Sequence, residues 1–257
     1  MAVLAIDTSD AISVAVVADD GAALASINSA ETRQHAEQLA VLIQAAVADA
    51  GLSMSDVAAV VVGTGPGPFT GLRVGIVTAR TLGLALGTPV WGVPSHDVLA
   101  AQAISAQSLP PGAELLIVTD ARRKEVYWSR YRVTDDPLEP LLLAGPGVVK
   151  PAILAAELAP HDGAVMVGKG VSLYQQVWVD AGLIVPDQPT ASQLDATVLA
   201  QIAIARAERG LAQPTEPLYL RRPDIHGTPA RNIPPNVGDA TAPDMATTIG
   251  SGNESTP

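Results

Sequence analysis

Apolar residues along this chain gather into short runs, separated by longer stretches in which they recur on a helical period. Val3–Ile6, Ser13–Ala18 and Ala22–Asn28 predict three short strands, with Asp19-Asp20-Gly21 as a hairpin turn between the second and third. From Glu31 to Ala50 the residues Leu39, Leu42, Ile43, Ala46, Val47 and Ala50 return on one side of a helix that Gly51 stops. Val57–Val62 is apolar throughout and predicts a buried strand, while Thr70–Leu86 predicts a second helix closed by Gly87. Val90–Val93 then reads as a strand and Ser95–Ala106 as a third helix capped by Ser95.

The segment "SLPPGAE", residues 108–114, is the first convincing linker. After it, "LLIVTD" (115–120) and "EVYWSRYRV" (125–133) begin a second strand-turn-strand pattern. Lys150–Leu158 is helical, Ala164–Val167 a strand, and Val171–Ala181 and Asp195–Arg209 are helices. This order predicts an α/β protein of two related mixed-sheet halves, residues 1–107 and 108–223. Residues 224–257, rich in Pro, Gly, Thr and Asn, have almost no apolar pattern and predict a disordered tail.

Composition then narrows the function classes. The 257 residues are 48% hydrophobic, ample for a core. A net charge of −11 repels a phosphate backbone, and 3% aromatics leave few stacking platforms, so tight direct nucleic-acid binding by this chain alone is disfavoured. The sequence has no cysteine, which excludes disulfides, thiol catalysis and cysteine-ligated metal centres. "MAVLAIDTSD" lacks the basic start and apolar length of a signal peptide, and Arg73 and Arg80 interrupt the longest apolar helix. No membrane span and a cytoplasmic location are therefore expected.

The stretch "GTGPGPFTGLRVG", residues 63–75, lies between a strand and a helix, where many proteins hold a phosphate. It lacks the lysine of a P-loop, its glycines miss the GxGxxG spacing, and Pro66 and Pro68 have no N–H to offer an anion. Its glycines are better read sterically. Gly71, Gly75, Ala79, Gly83 and Gly87 recur every four residues, so neighbours in the series share a helix face. Interior glycine costs about 1 kcal/mol against alanine, and a helix that tolerates it lets another backbone come close. That backbone is either the chain's own sheet or a second protein. On the docking reading, Gly75→Leu should leave the isolated chain soluble and abolish pairing.

"LAIDTSDAISVAV" (4–16), "RQHAEQL" (33–39), "GPGPFTGLRVG" (65–75), "DARRKEVYW" (120–128) and "PLYLRRP" (217–223) resemble the TsaB (YeaZ) family, in that family's order. The resemblance runs from residue 1 to about 223. It implies an actin-like ATPase (ASKHA) fold of two ribonuclease-H-like halves. It also implies a non-catalytic, required partner subunit for threonylcarbamoylation of adenosine at position 37 of tRNA. The implied partners are the catalytic paralogue TsaD and the ATPase TsaE. The threonylcarbamoyl adenylate comes from TsaC, and tRNA is met only through the complex. ATP or ADP and a metal would belong to partner subunits, with no cofactor in the isolated chain. The first two helices of the N-terminal half would pack on their counterparts in TsaD. Carried over with the helix-face reading, the contact comprises Arg33, His35, Glu37, Leu39, Leu42, Ile43, Gly71, Arg73, Gly75, Ile76, Val77, Ala79, Arg80 and Gly83. The same surface would pair two copies when the partner is missing. Pro68 stands where the family usually has serine, which weakens any ligand role for the loop.

The residues for independent catalysis are sparse. The catalytic paralogue holds a metal with two histidines four apart; here Ser95/Leu99 and His96/Ala100 occupy that spacing. His35, His96, His161 and His226 are scattered, and no HExxH or GxSxG motif offers peptidase chemistry. His35 and His96 read as polar helix residues. Asp7, Thr8 and Ser9, with Asp120, sit where actin-like ATPases place phosphate-facing groups. They form either a vestigial nucleotide site or a capped turn. Arg122, Arg123 and Lys124, with Arg130 and Arg132 in the next strand, make a basic patch that faces a nucleotide, tRNA or solvent alone. The alternative function is an autonomous actin-like small-molecule kinase or ATPase.

Overall fold

In the computed structural model the first apolar run forms the middle strand of a five-stranded mixed sheet. β1 (Ala2–Asp7), β2 (Ser13–Ala18) and β3 (Ala23–Asn28) pair antiparallel, and β4 (Val57–Gly63) and β5 (Val90–Val93) add in parallel, in the order β3-β2-β1-β4-β5. The central strands are uniformly apolar because both faces are covered. One face, with Leu4, Ile6, Val14, Val60 and Val62, packs on α1 (His35–Asp49) and α2 (Phe69–Leu86) through Leu39, Ile43, Leu72 and Ile76. Alternate residues Val3, Ala5, Ala15, Val17 and Val61 point the other way. They meet α3 (Ser95–Gln107) and α7 (Ala196–Glu208) at Val98, Ala101, Leu199, Ile202 and Ala203.

The second sheet repeats the pattern with one strand fewer. β6 (Glu114–Asp120), β7 (Val126–Arg132), β8 (Leu141–Val149) and β9 (Val165–Val167) lie in the order β8-β7-β6-β9, with only β6–β9 parallel. Leu116, Val118 and Val126 pack on α4 (Pro151–Leu158), α5 (Lys169–Leu173) and α6 (Gln175–Asp180) through Leu154, Val171 and Trp178. Leu115, Ile117 and Tyr131 meet Leu99, Ala100, Ala103 and Ile104 of α3. Helix α3 therefore lies between the two sheets and belongs to both cores. Two mixed-sheet halves with flanking helices make this the actin-like ATPase fold.

The described residues form one compact unit. The structure describes residues 2–29, 35–158, 163–186 and 193–221, so the predicted tail, Arg33 and the predicted start of the first helix lie outside the described residues. Four local expectations need correction. Ser95 does not cap α3; its hydroxyl bonds elsewhere, and Pro94 precedes the helix. The helix expected over 171–181 is two short helices meeting at Tyr174. β8 went unpredicted because Gly145-Pro146-Gly147 reads as a turn, whereas the strand carries it across register shifts at the sheet edge. Arg130 and Arg132 are not free basic residues: both pair with Glu114.

Helix α2 alone among the described helices is apolar and long enough to be compared with a membrane span. It buries Leu72, Ile76 and Ala79 against its own sheet, as a core helix does.

Candidate functional site

The C-terminal ends of β1 and β4 bring Asp7–Asp10 beside the Gly65–Phe69 loop. Asp7 is buried, and hydroxyl and amide donors take both carboxylate oxygens. Oδ1 accepts from Ser9 N (2.7 Å) and Ser9 Oγ (2.6 Å), and Oδ2 accepts from Ser95 Oγ (2.6 Å). Burial pushes the Asp7 carboxyl above the ordinary carboxylate range, while the bonds from Ser9 and Ser95 pull the other way. Gly63 makes room for it, since a Cβ there would stand 1.7 Å from Asp7 Oδ2. Thr8 donates through Oγ1 to the Gly71 carbonyl at 2.8 Å. The amide of Gly65 donates to Ser95 Oγ (3.1 Å), its carbonyl accepts from Ser95 N (2.7 Å), and Tyr127 Oη donates to the Gly67 carbonyl.

These residues do not fit a metal-bound triphosphate. The hydroxyls of Thr8, Ser9 and Ser95 are consumed internally, Pro66 and Pro68 have no N–H, and the cavity beside Ser9, Gly67 and His96 measures about 30 Å³, space for about two waters. Asp120, on the far wall, accepts from the Arg122 amide at 2.8 Å and pairs with the Arg122 guanidinium at 3.2 Å. Ser9 and Asp120 thus serve local turns, and Thr8 ties the end of β1 to the start of α2. Among the described residues, no group of three or more His, Asp or Glu side chains gathers where a metal could sit.

His96 is not a polar surface residue of its helix. It is buried between the halves, with Nδ1 2.8 Å from Ser129 Oγ and Nε2 2.9 Å from Thr119 Oγ1. Burial lowers its pKa from 6.5 to about 3, so the folded protein holds it neutral. The unfolded chain therefore binds a proton that the fold excludes, and His96 makes stability fall as pH drops from 6.5 toward 3. The slope is at most about 1.4 kcal/mol per pH unit. In urea titrations at pH 6.5 and 5.0, the wild type should lose about 1.7 kcal/mol more than His96→Gln over that interval. Equal losses would show that the ring titrates freely.

The basic patch is a left-handed turn. Arg122, Arg123 and Lys124 have φ of 62°, 51° and 61°, and all three side chains are exposed. Arg221 fastens the turn, donating to the Ala121 carbonyl and pairing with Glu125.

The glycine face of α2 is turned inward, which corrects the reading of Gly71, Gly75, Ala79 and Gly83 as a surface for a foreign chain. A Cβ on Gly71 would lie 2.6 Å from the Thr8 carbonyl oxygen, one on Gly75 2.4 Å from Thr8 Oγ1, and one on Gly83 2.2 Å from Val90 Cγ2. The backbone that approaches closely is the chain's own. Ile76, Leu39 and Ile43 are likewise buried in the first core, and Leu42 is half-buried against it. What α1 and α2 present outward is different. Glu37, Arg73 and Arg80 are exposed, and so are three large apolar residues, Val41, Val77 and Leu84, the last 86% exposed. Arg33 lies outside the described residues, as does the side chain of His35.

Sequence reasoning missed two clusters. Arg206 of α7 bonds Asp97 of α3 (2.8 Å) and Glu139 (3.0 Å), and Tyr131 Oη donates to Asp97 at 2.7 Å. Arg206→Ala would leave Glu139 only Arg209 and Asp97 only Tyr131, and should cost about 2 kcal/mol in urea unfolding. A wild-type midpoint would mean that solvent screens the network. The other cluster stacks Phe69 on Tyr219, ring centroids 4.7 Å apart, with the Arg73 guanidinium 4.9 Å from the Phe69 centroid. Phe69 and Tyr219 lie in two of the segments that carry the resemblance, but nothing in the sequence pairs them.

The family described as "TsaD: tRNA N6-adenosine threonylcarbamoyltransferase" matches residues 25–215. The chain is 31% identical over 230 residues to the tRNA threonylcarbamoyladenosine biosynthesis protein TsaB of Escherichia coli, covering 86% of this chain and 95% of that one. It is 40% identical over 224 residues to the uncharacterized protein Rv3421c of Mycobacterium tuberculosis, covering 86% and 92%. Among solved structures it resembles a Pseudomonas aeruginosa protein described as similar to peptidase YEAZ. There the TM-score is 0.69 and the identity 31%, over 86% of this chain and 99% of that one.

Proposed function

This chain belongs to the TsaD/TsaB (YeaZ) family, and from that premise we propose that it is the non-catalytic partner of a TsaD-type transferase in tRNA threonylcarbamoyladenosine synthesis. The observation that carries this reading is the near full-length likeness to TsaB, on a fold whose phosphate-facing residues bond to one another. An independent kinase would need Asp7 for a metal–nucleotide, and Asp7 is buried under Ser9 and Ser95. The chain works by shape: it presents the outer side of α1 and α2, where Val41, Val77 and Leu84 meet solvent, to the transferase. Exposed apolar side chains on adjoining helices suit helix-on-helix association. The same side pairs two copies when the transferase is absent. The turn at Arg122, Arg123 and Lys124 lies apart from this face in the second half and is the candidate contact for TsaE or for tRNA held by the complex.

The test is reconstitution. TsaD, TsaE and TsaC from the same organism, with tRNA, should form the modified adenosine only when this chain is added. Equal product without it would overturn the partner role. Turnover of ATP with a small substrate by the pure chain would favour the kinase.

A further inference from the structure

The outer side of α2 carries a cation that has no carboxylate partner among the described residues. Arg80 is engaged, donating to Thr215 Oγ1 at 2.9 Å and to the Thr215 carbonyl at 3.0 Å, with Glu216 3.6 Å away. Arg73 makes no ion pair among the described residues, although the chain has 26 carboxylates to 15 cations. It is nevertheless held in place. Its guanidinium sits on the ring of Phe69, and Tyr219 backs that ring from the other end of the sequence. The strap bearing Tyr219 is itself tied down, with Leu218 N donating to the Thr64 carbonyl and Gly92 N to the Gln213 carbonyl. A guanidinium seated on a ring keeps its in-plane N–H donors for another acceptor. Beside it runs an open groove of about 450 Å³ lined by Phe69, Arg73, Val74 and Val77.

We propose that this groove receives an amphipathic helix of the transferase partner. That helix sets a carboxylate on Arg73 and an apolar side chain between Val74 and Val77. The proposal rests on the docking reading above and names the chemistry of its contact. Arg73 and Val77 stand four residues apart on α2, so a carboxylate and an apolar residue one turn apart on the incoming helix match them. A carboxylate meets a pre-oriented guanidinium through two parallel N–H···O bonds, which fixes register as well as strength. Ring stacking supplies that orientation before binding.

The experiment compares binding of purified transferase to wild type, Arg73→Ala, Arg73→Lys and Leu84→Asp at low and high salt. Arg73→Ala should weaken the Kd by at least about tenfold at low salt and flatten its salt dependence. Arg73→Lys treated with a carbodiimide should form an amide from position 73 to one Asp or Glu of the transferase, located by mass spectrometry. If Leu84→Asp weakens binding but Arg73→Ala keeps the wild-type Kd and salt response, the carboxylate contact is wrong and the docking face stands. If Leu84→Asp binds as tightly as wild type, the face itself is wrong and the proposal falls with it. A cross-link from position 73 to a second copy of this chain, and none to the transferase, also overturns it.

Discussion

Gly75→Leu is expected to destabilise the fold of this chain, not to uncouple an intact chain from its partner. A Cβ at 75 would stand 2.4 Å from Thr8 Oγ1, and the rest of a leucine would push into the seam between α2 and the end of β1. Thr8 cannot yield freely, because the same oxygen donates to the Gly71 carbonyl, and the Thr8 carbonyl oxygen lies where a Cβ on Gly71 would be. Overpacking costs about 1–3 kcal/mol or more, and the lost hydrogen bond about 1 kcal/mol beyond that. The better helix propensity of leucine returns somewhat less than 1 kcal/mol. A net loss of about 3 kcal/mol is a large share of a typical 5–15 kcal/mol stability. Equilibrium unfolding in urea checks it. A Gly75→Leu protein with a wild-type midpoint would mean that α2 slides outward at little cost and that the glycine ridge is not a packing device.

The opposite behaviour is expected of Leu84→Asp and Val77→Asp. Both side chains point to solvent, 86% and 58% exposed, so the isolated fold has little to lose and unfolding should move by less than about 0.5 kcal/mol. In the complex, a carboxylate at 84 must be desolvated without a partner, and one at 77 would draw Arg73, one turn away, off the incoming chain; either costs several kcal/mol. Pairing with the transferase should weaken about a hundredfold or more in a titration calorimeter. Normal co-elution of both variants would remove α2 from the interface. Together the experiments separate two roles on one helix, with a small-residue side for its own sheet and a larger-residue side for another protein.

Much of this was legible in the chain. β1, β2 and β4 are plain because uniformly apolar Val and Ala runs have nowhere to go but a sheet covered on both faces. The stop at Gly87 was equally plain, and that residue takes φ of 67°. What stayed hidden depends on distant partners. Spacing revealed that something approaches α2 closely but could not say that Thr8, 63 residues before Gly71, does so. Ser95 looks like a cap locally; its partner Asp7 is 88 residues away. His96 looks like a surface residue because α3 lies between two sheets, which removes the usual polar face against which a buried histidine would stand out. On α2, four-residue spacing could not say whether the ridge meets the chain's own sheet or a second protein, because steric need and recognition leave the same glycine pattern.

Helix α7, residues 196–208, covers the face of the first sheet formed by Val3, Ala5, Val17 and Val61. A ribosome must therefore add nearly two hundred residues before that face can be sealed, about 10–40 s at ordinary elongation speed. During that interval the earliest strands are nascent chain with one apolar side incompletely roofed. Until α7 emerges, that side can stick to other growing polypeptides.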